Sequence, residues 1–296
     1  MVAATHETPP ASTGGRNHIV LALPPRGRFA PVVRAHFLAT GHDVQLREAP
    51  LRALETLREP GAALLILDAA LPEAQETVRQ AKVEPATNGI PVIALFPHGR
   101  APLRPTELRV QADLELTEPF EVRQLLEAAE RLAARPRTRE AIARLIFPSH
   151  QADLDRSVDL IAELFRASGL DEEARTSLLT AYREAATNAV QHGNRYDRTK
   201  CVRVEYRHTP ESIAIEVRDQ GDGFAPQSYL HQGATADAAQ AARDRSRQGG
   251  QGGLGILMIV RCTDRVDYND KGNAVTLVRH LVAPPDPEIA QEDATP

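Results

Sequence analysis

The sequence contains no tryptophan, two cysteines, two methionines and only 4% aromatic residues in 296. Two thiols, Cys201 and Cys262, do not make a disulfide scaffold or a cysteine-rich metal site, and they fit a reducing, cytoplasmic setting. No apolar run approaches the ~18 residues of a membrane span, and the start MVAATHETPPASTGGRN lacks a basic segment followed by an apolar core. A soluble, unsecreted chain with no membrane partner is therefore expected. Positive charge is neither in excess nor clustered, with 35 Lys and Arg against 40 Asp and Glu and a net charge of -5. That balance argues against a nucleic-acid partner.

What remains, 42% hydrophobic and 25% charged residues, is enough for two domains, each with its own core. Residues 1–16 and 283–296 are rich in Pro, Ala, Thr and acids and are expected to be disordered tails. Across residues 17–134, short apolar runs (HIVLAL, VQLRE, ALLILDA, IPVIALF, ADLELTE) alternate with helix-length segments, one of them expected between IPVIALF and ADLELTE. This alternation implies a doubly wound α/β domain with a parallel sheet. The polar, arginine-rich stretch around Pro136 predicts a linker over residues 135–140. Residues 141–282 read differently: a strand RLIFPS, a helix ended by Gly169, and a second helix from about Asp171 to Gln191. The alternating strands CVRVEYRHT and SIAIEVRDQ should pair antiparallel, and after a Gly-, Ala-, Gln- and Arg-rich insertion come an apolar helix and two further strands. The expected fold of this half is an α+β sandwich.

Three separated elements carry chemistry. EAATNAVQHGN places Glu184, Asn188 and Gln191 or His192 on one helical face, which taken alone is an ordinary solvated face. DQGDGF puts Asp219 at the end of a strand, with Gly221 and Gly223 permitting a turn whose backbone lies close to a ligand. GGQGGLGILMIV supplies glycines directly before an apolar helix, whose N-terminal amides suit phosphate.

In this order the motifs E-x-x-x-N, D-x-G-x-G and G-x-G-L-G resemble the Bergerat ATP-binding fold of histidine-kinase-like ATPases, and EAATNAVQHGN with GGLGILMIVRCTDRVDYND most resembles the anti-sigma-factor serine kinases. The resemblance implies an ATP and Mg2+ site and transfer of phosphate to a serine of a protein partner, either a sigma factor or its anti-anti-sigma antagonist, and it is compatible with a homodimer. By that resemblance Glu184 is the general base, Asn188 holds magnesium through its amide oxygen, and Asp219 accepts a hydrogen bond from the adenine amino group with Gly221 and Gly223 beside it. Gly253, Leu254 and Gly255 shape the lid, and Arg243, Arg245 and Arg247 either add charge near the phosphates or are solvated. His192 is read as a cap or packing residue at the helix end, and Cys262 as a small buried residue.

The first half resembles a response-regulator receiver domain. LLILDAALPE places Asp68 at the end of the third strand, the phospho-acceptor position of that family. Where receivers carry a metal-binding acidic pair, this sequence has Pro24, Pro25 and Arg26; Phe96 and Glu118 stand at the switch-hydroxyl and lysine positions. An aspartyl phosphate would be poorly compensated, so a protein-docking pseudo-receiver is expected. Two alternatives to the serine kinase stay open: a non-catalytic ATP-gated binding module, and the ATP-binding part of a two-component histidine kinase system. Only 38 positions separate His150 from Asn188, too few for a complete histidine kinase.

Overall fold

The computed structural model describes residues 17–24, 27–99, 105–135, 140–224 and 253–281, with the backbone alone for 253 and 254. The expected tails, Pro25, Arg26, Pro136 and the three arginines 243, 245 and 247 lie outside them. In chain order the first half comprises β1 (His18–Ala22), α1 (Ala30–Ala39), β2 (Asp43–Leu46), α2 (Pro50–Leu57), β3 (Ala62–Asp68), α3 (Ala74–Val83), β4 (Val92–Phe96), β5 (Arg109–Gln111), β6 (Leu114–Thr117) and α4 (Val122–Ala133). Five strands form a parallel sheet in the order β2-β1-β3-β4-β6. That order is the doubly wound, flavodoxin-like one. Alternate residues of each strand feed opposite faces, as the pleat requires. Ile19, Leu21, Leu64 and Ile66 pack with α1 and α4, whereas Val20, Ala22, Leu65 and Leu67 pack toward α2 and α3.

The second half comprises β7 (Ala141–Pro148), α5 (Gln151–Arg166), α6 (Glu172–Asn188), a π-helical turn (Ala189–Gly193), β8 (Cys201–His208), β9 (Ser212–Arg218), α7 (Gly253–Arg261), β10 (Arg265–Tyr268) and β11 (Ala274–His280). Local chemistry sets the two long helices. Gly169, at φ 80°, turns the chain after α5, and the Asp171 carboxylate accepts from the Ala174 amide at 2.7 Å to cap α6. Along α6, Leu178, Ala181, Tyr182, Ala185 and Ala186 form one buried stripe against the sheet. Tyr182 is fully buried, and its hydroxyl donates to Ser157 on α5 at 2.9 Å. The antiparallel sheet runs β10-β11-β9-β8-β7-β5.

The last strand of that sheet corrects an expectation. The segment between IPVIALF and ADLELTE was expected to be helical. Among its described residues it instead forms β5, which leaves the parallel sheet and pairs antiparallel with β7, Val110 opposite Leu145. Edge strand β7 would otherwise present an unpaired row of amides and carbonyls, and β5 covers it. A buried ion pair, Lys82 Nζ to Asp113 at 2.6 Å, stands behind β5; Asp113 also accepts the Val92 amide at 2.8 Å and faces Arg144 of β7 at 3.9 Å. Burial holds the Lys82 ammonium below the usual lysine value even with Asp113 beside it. Arg79 to Glu163 at 3.1 Å and the Leu108 amide to Asp153 at 3.1 Å add polar links between the halves. The apolar core is continuous from the α2 and α3 side of the first half into the second.

Candidate nucleotide site

Helix α6 carries the first group of site residues, and its final turn departs from α geometry. Beyond Asn188 the Asn194 amide reaches back to the Ala189 carbonyl at 2.8 Å, five residues away. Such π turns recur at functional sites because they rotate the following side chains relative to the helix. Here the turn brings Gly193 against the Asp219 carboxylate: a methyl group on Gly193 would lie 2.5 and 2.6 Å from the two carboxylate oxygens. Glycine is the residue that lets helix and strand end meet. Asp219 is fixed in turn by its own loop, its Oδ1 accepting the Gly221 amide at 2.7 Å. Asn273, beside β11, brackets the Asp219 backbone, accepting from its amide at 3.0 Å and donating to its carbonyl at 3.1 Å.

These elements enclose a cavity of about 310 Å³ whose walls include Asn188, His192, Asp219, Gly223, Phe224 and Tyr268. Phe224 and Tyr268 meet edge to face at 5.4 Å, forming an aromatic wall. Burial raises the Asp219 carboxyl above the usual aspartate range, opposed by the Gly221 amide and by Lys271 and Lys200. Gly223 takes a left-handed φ of 80°, with its Cα against the Lys271 carbonyl. A half-buried carboxylate, an amide side chain one helix face away and apolar walls suit a ligand with a flat, hydrogen-bonding head and a polar tail.

Asn188, Asp219 and Gly223 thus converge on one cavity, with Gly221 holding Asp219 in place. Glu184 is half-buried one turn before Asn188; its carboxylate lies against Gly255 of α7, where a methyl group would overlap it, and it is not among the residues lining the cavity. Gly253 and Leu254 begin α7. His192, read as a cap or packing residue, stands in the last turn of the helix and is exposed on the cavity wall, which corrects the packing alternative. Cys262 is half-buried against the core and Cys201 is buried. Sequence reasoning did not single out Asn194, Arg195, Tyr268 and Asn273; the signal for the first two was adjacency, since Asn194 closes the run EAATNAVQHGN and Arg195 follows it.

Residues 147–279 match the histidine kinase-like ATPase domain. The serine-protein kinase RsbW of Bacillus licheniformis is 31% identical over 105 residues, 35% of this chain. The match spans 63% of that relative's length. Among solved structures, a CheY-like receiver domain from Methanospirillum hungatei is 18% identical, with a TM-score of 0.32, covering 40% of this chain and 94% of its own. A putative response regulator from Chloroflexus aurantiacus is also 18% identical, with a TM-score of 0.34, covering 40% and 99%. The chain joins a doubly wound half of receiver-like strand order to a half that matches this ATPase domain.

In the first half, Asp68 ends β3 and accepts the Ala70 amide at 2.8 Å. It borders a cleft of about 170 Å³ with Pro24, Arg28, Phe96 and Glu118, so the residues at the switch and lysine positions do sit beside it. Among the described residues no helix is long and apolar enough to cross a membrane, and no cluster of three His, Cys, Asp or Glu forms a metal site.

Proposed function

We propose that this chain is an ATP-dependent serine protein kinase of the partner-switching type, acting in the cytoplasm on an anti-anti-sigma antagonist or sequestering a sigma factor. The observation that carries the reading is the convergence of Asn188 and Asp219 on one cavity. Asp219 takes the adenine amino group, and the aromatic pair Phe224 and Tyr268 takes the flat base. The cavity suits magnesium as well as nucleotide, because Asn188 offers an uncharged oxygen of the kind that binds this ion alongside phosphates and water. When bound, magnesium would neutralise phosphate charge. Glu184 takes the proton of the attacking serine hydroxyl, the Oγ to γ-phosphorus bond forms, and the bond to the bridging oxygen breaks to release ADP.

The relative named serine-protein kinase RsbW supports serine as the acceptor. One observation favours a second reading, an ATP-gated binding module without transfer: the Glu184 carboxylate rests on Gly255 instead of lining the cavity. The first half serves as a docking pseudo-receiver, since Phe96 and Glu118 beside Asp68 supply neither the hydroxyl nor the lysine that would compensate an aspartyl phosphate, leaving Arg28 as the cation that lines the cleft.

Incubation with γ-labelled ATP, magnesium and candidate antagonist proteins separates the readings. The kinase reading predicts label on a partner serine that disappears in Glu184→Ala. Saturable ATP binding with no transfer to any antagonist bound by the chain would replace it with the binding module.

A further inference from the structure

Asn194 is completely buried and makes hydrogen bonds to three separate elements. Its Nδ2 donates to Ser149 Oγ, just after β7, at 2.7 Å and to the Cys201 carbonyl, at the start of β8, at 3.1 Å. Its Oδ1 accepts the Gln220 amide at 2.8 Å. The circuit closes, because Gln220 Oε1 accepts the Cys201 amide at 2.6 Å and Ser149 Oγ donates to the Lys200 carbonyl at 3.1 Å. A buried amide with every polar atom matched to a backbone or hydroxyl group fixes those groups in place, since any displacement strands a desolvated partner.

The position of this side chain gives the circuit its meaning. Gln220 is the residue next to Asp219, and Asn194 follows Gly193, which touches the Asp219 carboxylate. On its other side Asn194 ends the π turn that continues α6, the helix carrying Asn188. Directly after it, Arg195 and Tyr196 hold left-handed φ values of 57° and 56°. Two consecutive non-glycine residues keep that conformation only where their surroundings impose it.

We infer that Asn194 is a positioning residue that sets the carboxylate of Asp219 relative to Asn188 and thereby determines discrimination for adenine over guanine nucleotides. The inference rests on the reading of Asp219 as the group that recognises adenine. Guanine carries a carbonyl where adenine carries its amino group, so an aligned carboxylate accepts from one and repels the other. A carboxylate that drifts loses this selectivity before it loses general nucleotide affinity.

The test measures dissociation constants for ATP and GTP, with magnesium, on the full chain and on Asn194→Ala. The wild type prefers ATP, and the preference falls about tenfold in the variant. A merely structural role would lower the fraction of binding-competent protein for both nucleotides equally and leave the ratio unchanged, which would overturn the inference. A wild type without preference for ATP would instead overturn the reading of Asp219 beneath it. Should Asn194→Ala fail to fold, Ser149→Ala, which removes one partner of Asn194, decides: a ratio lowered about twofold or more supports the positioning role, and an unchanged ratio refutes it.

Discussion

Replacing Gly193 by alanine adds one methyl group at the point where α6 meets Asp219. The new carbon would start 2.5 and 2.6 Å from the carboxylate oxygens, whereas ordinary van der Waals contact begins at 3.4 Å. Helix or carboxylate must therefore give way by roughly 1 Å, and a misplacement of that size near a recognition centre costs up to about 100-fold. Alanine suits the helical backbone at this position, and Gly193 is only half-buried, so the fold itself should lose no more than about 1 kcal/mol. The expected outcome is ATP affinity weakened by about 10- to 100-fold, with a melting temperature within a few degrees of wild type. Calorimetric titration with ATP and magnesium, beside a thermal unfolding curve, reads both quantities. ATP affinity within about twofold of wild type in a folded Gly193→Ala protein would refute the proposed role of Asp219 and the close helix-strand contact behind it.

Acid should weaken nucleotide binding early. Burial raises the Asp219 carboxyl above the usual aspartate value, so its ionisation at neutral pH costs the folded chain stability, and acidification relieves that cost while removing the anionic acceptor. ATP affinity, followed downward from about pH 7, should decline before the ordinary aspartate range is reached, and a flat profile to that range would contradict this. Lys82→Ala leaves Asp113 with the Val92 amide and a distant Arg144, and should destabilise the chain by about 3 kcal/mol in denaturant unfolding. Loss of less than about 1 kcal/mol would show that the buried pair contributes little to holding β5 in place. Acetyl phosphate should leave no acid-labile phosphate on the chain; labelling that disappears in Asp68→Ala would reinstate a working receiver.

The parts of the fold that were legible in the sequence are those set by local chemistry. Asp171 and Gly169 bound the two helices of the second half, and the strict alternation of CVRVEYRH and SIAIEVR gives antiparallel strands with one buried face. That Asn188 and Asp219 share a cavity was foreshadowed by their motifs, whose glycines suit places where backbone approaches closely. The position of β5 was not legible: Arg-Val-Gln is too short to show a period, and its partner β7 lies more than thirty residues further on, in the other half. Nor was the π turn, since no residue type encodes it. Asn194 carries no signal of its own in the sequence, and only its burial reveals a structural amide. Exposure of His192 to the cavity follows from the same turn, which rotates it away from the packed face.

Nucleotide binding at the Asp219 cavity is the property on which every role assigned to this half depends. Titration of the full chain with ATP and magnesium, wild type beside Asp219→Asn, measures it directly. One saturable site per chain, weakened at least about tenfold by the substitution, is the predicted result. A wild-type chain that binds no ATP, or an Asp219→Asn chain that binds it equally well, would contradict the account.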